Sequence, residues 1–210
     1  MTALMPDLML ILPELMLFGS TIVLLLAGLY SKSLGQAIYP LASFALLVTL
    51  FILNYTELFG QPFNGLLLVD AYTQFCKTLI LVGGVLVMIL SHHWIRDLEE
   101  QPFEFAVLIL LATLGMMLVV SANNLISAYM AFELMSLSLY ILAAIQRDSL
   151  VATEAGVKYF VLGSLASGML LFGASLVYGF TGSTSFADIA QLLSGMGDIS
   201  ANGQFSASYA

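Results

Sequence analysis

Residues 105–121 read FAVLILLATLGMMLVVS, an apolar run with no charged side chain, entered past Glu104 and left through Asn123 and Asn124. As a helix rising 1.5 Å per residue, such a run crosses most of the ~30 Å hydrocarbon core of a bilayer. A transmembrane β-strand would instead alternate apolar with polar positions over about ten residues, and here consecutive positions are apolar or small. Working outward, the same pattern recurs on both sides. It predicts spans over about 125–145 and 151–180 towards the C-terminus, and over about 71–91, 38–55 and 8–30 towards the N-terminus. The predicted fold class is all-α: a polytopic transmembrane helical bundle of about six helices.

Composition agrees. Sixty per cent of the residues are hydrophobic and 9% charged, with a mean hydropathy of +1.02, too few polar side chains to cover a water-soluble domain. The net charge of −8 is spread over short links and the tail, so no nucleic-acid partner is read from it. Cys76 is the single cysteine, which leaves no internal disulfide framework and no cysteine cluster for zinc or iron-sulfur, and packing is its expected role. The first run has no basic region before it and no small-residue cleavage site, so it reads as a retained first helix and not as a leader.

The transmembrane domain is expected over residues 1–185. Links on either side of 125–145 are short, which predicts that the fourth, fifth and sixth segments are antiparallel neighbours in a compact bundle. Lys32, Arg96 and Arg147 occupy the first, third and fifth links, a bias that places those links in the cytoplasm and the N-terminus outside. Glu57, Asp70, Asp188 and Asp198 then face outward. After Phe180, Thr181-Gly182-Ser183-Thr184 forms a turn, and Ser185 with Asp188 three residues later is a capping-box pattern. Over 186–210 a short amphipathic segment with Phe186, Ile189, Ala190 and Leu193 on one face is expected, followed beyond Gly195 by a poorly ordered tail.

Charges within spans cost about 2.5 to 3.5 kcal/mol each, which singles them out as candidates for function. Glu133 lies roughly 15 Å along the fifth helix, near the bilayer midplane, and Lys158 about 12 Å into the sixth. Counted from the shared turn at Gln146 to Ser149, they lie at comparable distances and are expected to approach each other. Opposite charges at about 4 to 6 Å hold each other ionised, so proton occupancy at one site depends on the other, as a proton relay requires. A static ion pair locking two helices is the alternative. Glu154, four residues before Lys158 on the same face, is either a brace at the helix end or part of a proton entry route.

Lys77 lies seven residues after Asp70 and so nearly on its face, and two readings remain: snorkelling outward to Asp70, or a relay. Glu14, beside Pro13, reads as interfacial. His92 and His93 point in different directions beside Trp94, which favours interface anchoring over a metal site. Gly163, Ser164, Ser167, Gly168 and Gly173 supply small residues for close helix packing. Ser136, Ser138, Tyr129 and Tyr140 flank Glu133 and either hold water along a proton path or make ordinary interhelical hydrogen bonds.

At these residues the sequence resembles subunit N of the proton-translocating NADH-quinone oxidoreductase, respiratory complex I, called subunit 2 in organelles. The resemblance rests on Ala131-Phe-Glu-Leu-Met-Ser-Leu-Ser-Leu-Tyr140, on Thr153-Glu-Ala-Gly-Val-Lys-Tyr-Phe-Val-Leu-Gly-Ser164, on Leu171-Phe-Gly-Ala-Ser-Leu-Val-Tyr-Gly-Phe-Thr-Gly182 with Ser185-Phe186, and on Leu12-Pro13-Glu14-Leu15. It is densest over 123–186 and fades after about 190. It implies an antiporter-like inverted repeat of about fourteen helices, of which 210 residues supply the first part, less than half. It also implies that Glu133 and Lys158 match protonatable residues of the family, modulating a central lysine further along the chain.

The implied function is a membrane subunit contributing to proton translocation driven by electron transfer from NADH to quinone. Proton-relay candidates are Glu133, Lys158, Glu154 and Lys77, with no catalytic redox centre in this chain. No cofactor is expected within it: NADH, FMN, iron-sulfur clusters and quinone would belong to partner subunits, consistent with the lack of any G-x-G-x-x-G, Walker or cysteine-cluster motif. Implied partners are other membrane-arm subunits, membrane lipid, and quinone through the complex. The implied location is the bacterial inner membrane in preference to an organelle inner membrane. Two other readings stay open: a subunit of a multi-chain Na+/H+ antiporter, and a structural membrane subunit whose charges only hold helices together.

Overall fold

The computed structural model describes residues 4–30, 35–56, 58–97 and 102–202. Lys32, Glu57, residues 203–210, and the side chains of His93, Trp94, Arg96 and Asp198 lie outside the described residues. The chain is helical: α1 (Leu4–Leu10), α2 (Leu12–Tyr30), α3 (Gly35–Tyr55), a single turn α4 (Pro62–Gly65), α5 (Ala71–Asp97), α6 (Pro102–Ser121), α7 (Leu125–Ala143), α8 (Leu150–Thr181) and α9 (Phe186–Asn202). Six of these, α2, α3, α5, α6, α7 and α8, are long and apolar enough to cross a membrane.

The boundaries have local causes. Pro13 has no N–H to give to the preceding turn, so α1 stops at Leu10 and α2 restarts with Leu15 N donating to Ile11 O at 3.0 Å. Asp70 and Thr73 cap α5 reciprocally: Thr73 N donates to Asp70 Oδ1 at 2.8 Å and Asp70 N to Thr73 Oγ1 at 2.9 Å. Ser149 caps α8, accepting from Ala152 N at 3.3 Å. Gly182, at φ 69°, ends α8 in the left-handed region, where a glycine avoids the Cβ penalty. Asp188 N donates to Ser185 Oγ at 3.5 Å at the start of α9. That helix continues past Gly195 to Asn202, further than a short segment followed by a disordered tail.

The core belongs to α2, α3, α5 and α6. Leu17 and Leu24, then Ile38, Ala42, Leu46 and Leu53, then Leu81 and Met88, then Ala106, Leu110, Leu114 and Met117 turn inward at helical spacing. α6 is the central helix, packing on α2, α3, α5 and α7. The expected compact bundle of the last three spans does not form. α7 packs on α6 on one side and on α8 on the other, so the three run as a row. Short links oblige consecutive helices to be neighbours but cannot close a triangle when the remaining faces of α6 are already occupied.

Polar loops at one end of the bundle join these units. Leu68 N donates to Ser121 O at 2.7 Å, Asn123 N to Leu66 O at 3.0 Å and Leu125 N to Thr184 O at 2.9 Å. Asn124 caps α7, its Oδ1 accepting from Ile126 N at 2.8 Å while its Nδ2 donates to Thr184 Oγ1 at 2.8 Å. Because this one side chain both caps a helix and ties two loops, Asn124→Ala is expected to lower thermal stability by about 1–2 kcal/mol. A melting curve of the detergent-solubilised protein checks this; an unchanged midpoint would show that water replaces both bonds.

Candidate functional site: ionisable groups within the spans

The structure separates the charges differently from the expected pairing. Glu133, half-buried on α7, accepts a short hydrogen bond from Ser167 Oγ on α8, and Ser167 is buried. The Tyr129 hydroxyl, one turn away on α7, lies 3.2 Å from the same Ser167 oxygen. A serine hydroxyl carries one hydrogen and an ionised carboxylate only accepts, so the order is Tyr129 O–H to Ser167, then Ser167 O–H to Glu133. When Glu133 is protonated the chain reverses, with Glu133 donating to Ser167. Such a reversible line of hydroxyls can pass a proton without moving a helix.

Lys158 is not Glu133's partner. Its Nζ lies 2.5 Å from Glu154 Oε1, one turn back on α8, and both side chains are about two-thirds exposed in this chain. Ser167, which does face Glu133, is nine residues or about 13 Å further along the helix. The cause is the link between α7 and α8, which is not a symmetric pivot. Gly156 packs on Ala144 and Gly163 on Tyr140, so the first turns of α8 extend past the end of α7 and every later residue meets α7 at a deeper level. Lys158 therefore sits near the link end and Glu133 well above it. The Glu154–Lys158 pair stands at helical i, i+4 spacing, as its sequence separation suggested.

Lys77 does not snorkel to Asp70, whose carboxylate is engaged with Thr73. Lys77 Nζ lies 2.5 Å from Glu14 Oε1, and both residues are buried, at 1% and 4% exposure. Glu14, near the start of α2, is thus buried against Lys77. α2 and α5, which carry the pair, both pack on α3 and α6, so the bridge crosses the interior of the first bundle. Sequence reasoning missed it because Asp70 is visible along Lys77's own helix, whereas a partner 63 positions away on another helix leaves no spacing signal.

Of the polar residues flanking Glu133, only Tyr129 joins it, and it does so through Ser167. Ser138 Oγ donates to Leu134 O at 2.9 Å within its own helix. Tyr140 packs edge-on against Tyr159 at 4.7 Å between ring centroids. In α8, Gly163 and Ser167 face α7, whereas an added Cβ at Gly168 or Gly173 would meet nothing within 4 Å. Arg147 in the link donates from Nη2 to both carboxylate oxygens of Glu104 at the start of α6, at 2.7 and 2.8 Å, a contact not anticipated from sequence. His92 lies with its ring 5.1 Å from that of Tyr39. A crevice of about 430 Å³ opens between α7 and α8 beside Tyr129, with Leu125, Ile126, Leu171, Ala174 and Tyr178 in its wall.

Residues 122–208 match the family described as NADH:quinone oxidoreductase/Mrp antiporter, transmembrane, a match that runs past residue 190, where the resemblance in the sequence fades. The chain is 46% identical over 193 residues to NADH-quinone oxidoreductase subunit N of Rhodospirillum rubrum, covering 90% of this chain and 40% of the relative. It is 47% identical over 190 residues to the subunit N of Parvibaculum lavamentivorans, with 90% and 39% covered. Among solved structures it resembles a chain of respiratory complex I from Thermus thermophilus with bound aureothin, with a TM-score of 0.68, 32% identity, and 82% of this chain and 38% of that one covered. A chain of the archaeal membrane-bound sulfane sulfur reductase shares the fold, with a TM-score of 0.71, 24% identity, and 89% and 39% covered. The chain therefore spans about two-fifths of the length of the relatives it matches.

Proposed function

We propose that this chain, which belongs to the family of NADH-quinone oxidoreductase subunit N, contributes part of a proton path through the inner membrane in an enzyme complex that couples proton translocation to electron transfer from NADH to quinone. The observation that carries this reading is the line Tyr129, Ser167, Glu133, placed between two spans where an ionisable group is costly. Glu133 is the proton-holding site of the line. Glu154 and Lys158, at the link end of α8, form a second station where a proton enters from the cytoplasmic side, the basic links facing inward and the N-terminus outward. Redox chemistry belongs to partner subunits: nothing in the proposed path needs an electron carrier, and its groups exchange only protons. Other membrane-arm subunits and lipid cover the apolar face of α8, most of which is exposed in this chain.

Deleting the gene and measuring NADH-driven quinone reduction and acidification in inverted membrane vesicles tests the reading. Loss of both is expected, with restoration by the intact gene. Unchanged NADH oxidation together with a new sensitivity to sodium would instead favour a multi-chain Na+/H+ antiporter, which uses the same carboxylate and lysine chemistry with no redox partner.

A further inference from the structure

We propose that Glu14 and Lys77 form a further proton-exchanging site, separate from the Glu133 line and from the Glu154–Lys158 station, and that Glu14 Oε2 is the atom at which this site takes up and releases protons. The inference rests on the proton-translocation reading above and adds a site to it. Lys77 Nζ holds Glu14 Oε1 at 2.5 Å, and Oε2, wholly buried, has no hydrogen-bond partner among the described residues.

Stability does not account for the pair. Two charges in a low-dielectric core are costly to desolvate, and apolar side chains of similar volume generally hold such a position as well or better. Nor is it a by-product of neighbouring charge. Asp70 is bound to Thr73, and Asp7 on α1 accepts from Phe63 N at 3.2 Å. On the helices packed around the pair, Glu104 is engaged by Arg147, Tyr39 by Met88 and Ser91, and Tyr55 is exposed. On α5 itself, Tyr72 is exposed and Cys76 partly so. Among the described residues, Lys77 and Glu14 thus face each other with no third charged side chain bonded to either.

That isolation couples the two groups. A proton bound at Oε2 converts Glu14 to the neutral acid and leaves Lys77 as an uncompensated ammonium in the core, which favours release of one proton from Nζ. One O–H bond forms and one N–H bond breaks, so uptake on one atom drives release from the other with no net change in buried charge. Glu14 is two residues from the start of α2 and Lys77 six from the start of α5, so the pair lies within about 10 Å of the helix ends.

The test uses the chromosomal gene and the whole complex. The double variant Glu14→Leu, Lys77→Met replaces the ion pair with apolar side chains, and is compared with Glu133→Gln in the same strain background. Complex content is read by native electrophoresis, and NADH-driven acidification in inverted vesicles. The expected result is normal content with acidification reduced by about tenfold. Wild-type acidification in the double variant overturns the inference, and so does failure of that variant to assemble, which would make the pair a structural brace. If Glu133→Gln loses acidification while the double variant keeps it, only the Glu14–Lys77 site falls. If both keep it, the proposed function falls as well.

Discussion

Gly115→Leu is expected to abolish accumulation of the protein in the membrane, and Gly115→Ala alone to cost about 1–3 kcal/mol. A Cβ at Gly115 on α6 would lie 2.6 Å from the Met135 backbone nitrogen and 2.8 Å from its Cα on α7. Backbone cannot rotate aside as a side chain can, so the helices must separate. Lipid offers no hydrophobic drive to bring them back, because its tails are as apolar as the faces that part. α6 is held on its other sides by α2, α3 and α5, so the displacement falls on α7, which carries Glu133 two residues before Met135. Gly168→Ala is the control: nothing lies within 4 Å of an added Cβ there, and a change within about 0.5 kcal/mol is expected. Membrane content and melting temperature of the two variants check the contrast. Wild-type levels of Gly115→Leu would mean that α6 and α7 do not meet at this point.

The spans were legible because a bilayer imposes length and apolarity on consecutive residues, and these are properties of a single segment. The partners were not, because a membrane helix is apolar on the faces it buries and on those it exposes, so polarity does not mark its contacts. Small residues mark them instead, and only locally. Gly163 and Ser167 stood out in α8 and do face α7, but Gly168 and Gly173, equally small, do not. Gly115, a lone glycine in the most apolar run, gave no sign that it sets the closest approach of α6 and α7.

The two acid–amine assignments differed for one geometric reason. Within a helix, i and i+4 residues are neighbours by covalent geometry, so Glu154 with Lys158 was readable. Between helices, register depends on the path of the link and the bulk of the packed side chains. Placing Glu133 opposite Lys158 assumed a link that folds back symmetrically, whereas the contacts of Gly156 with Ala144 and of Gly163 with Tyr140 shift α8 by about two and a half turns. Lys77 shows the complementary case: its intrahelical candidate, Asp70, was already committed to capping.

Glu133→Gln is expected to reduce NADH-driven acidification to about a tenth or less while leaving the amount of assembled complex unchanged. Glutamine keeps the shape and still accepts from Ser167, so the packing of α7 on α8 survives, but it cannot take up a proton. If the hydroxyl line is the route, Ser167→Ala should also slow acidification, because Tyr129 and Glu133 then lose the oxygen that joins them. Ser167→Thr, which restores a hydroxyl on the same carbon, should recover much of the rate, whereas Ser167→Cys, with its weak S–H donor, should recover little. A role confined to packing would order these variants by volume, with alanine and cysteine mild and threonine worst. The ranking of the three rates therefore separates a proton wire from a helix contact, and a rate for Ser167→Ala equal to that of the unaltered protein would remove Ser167 from the path and leave Glu133 to be reached by another route.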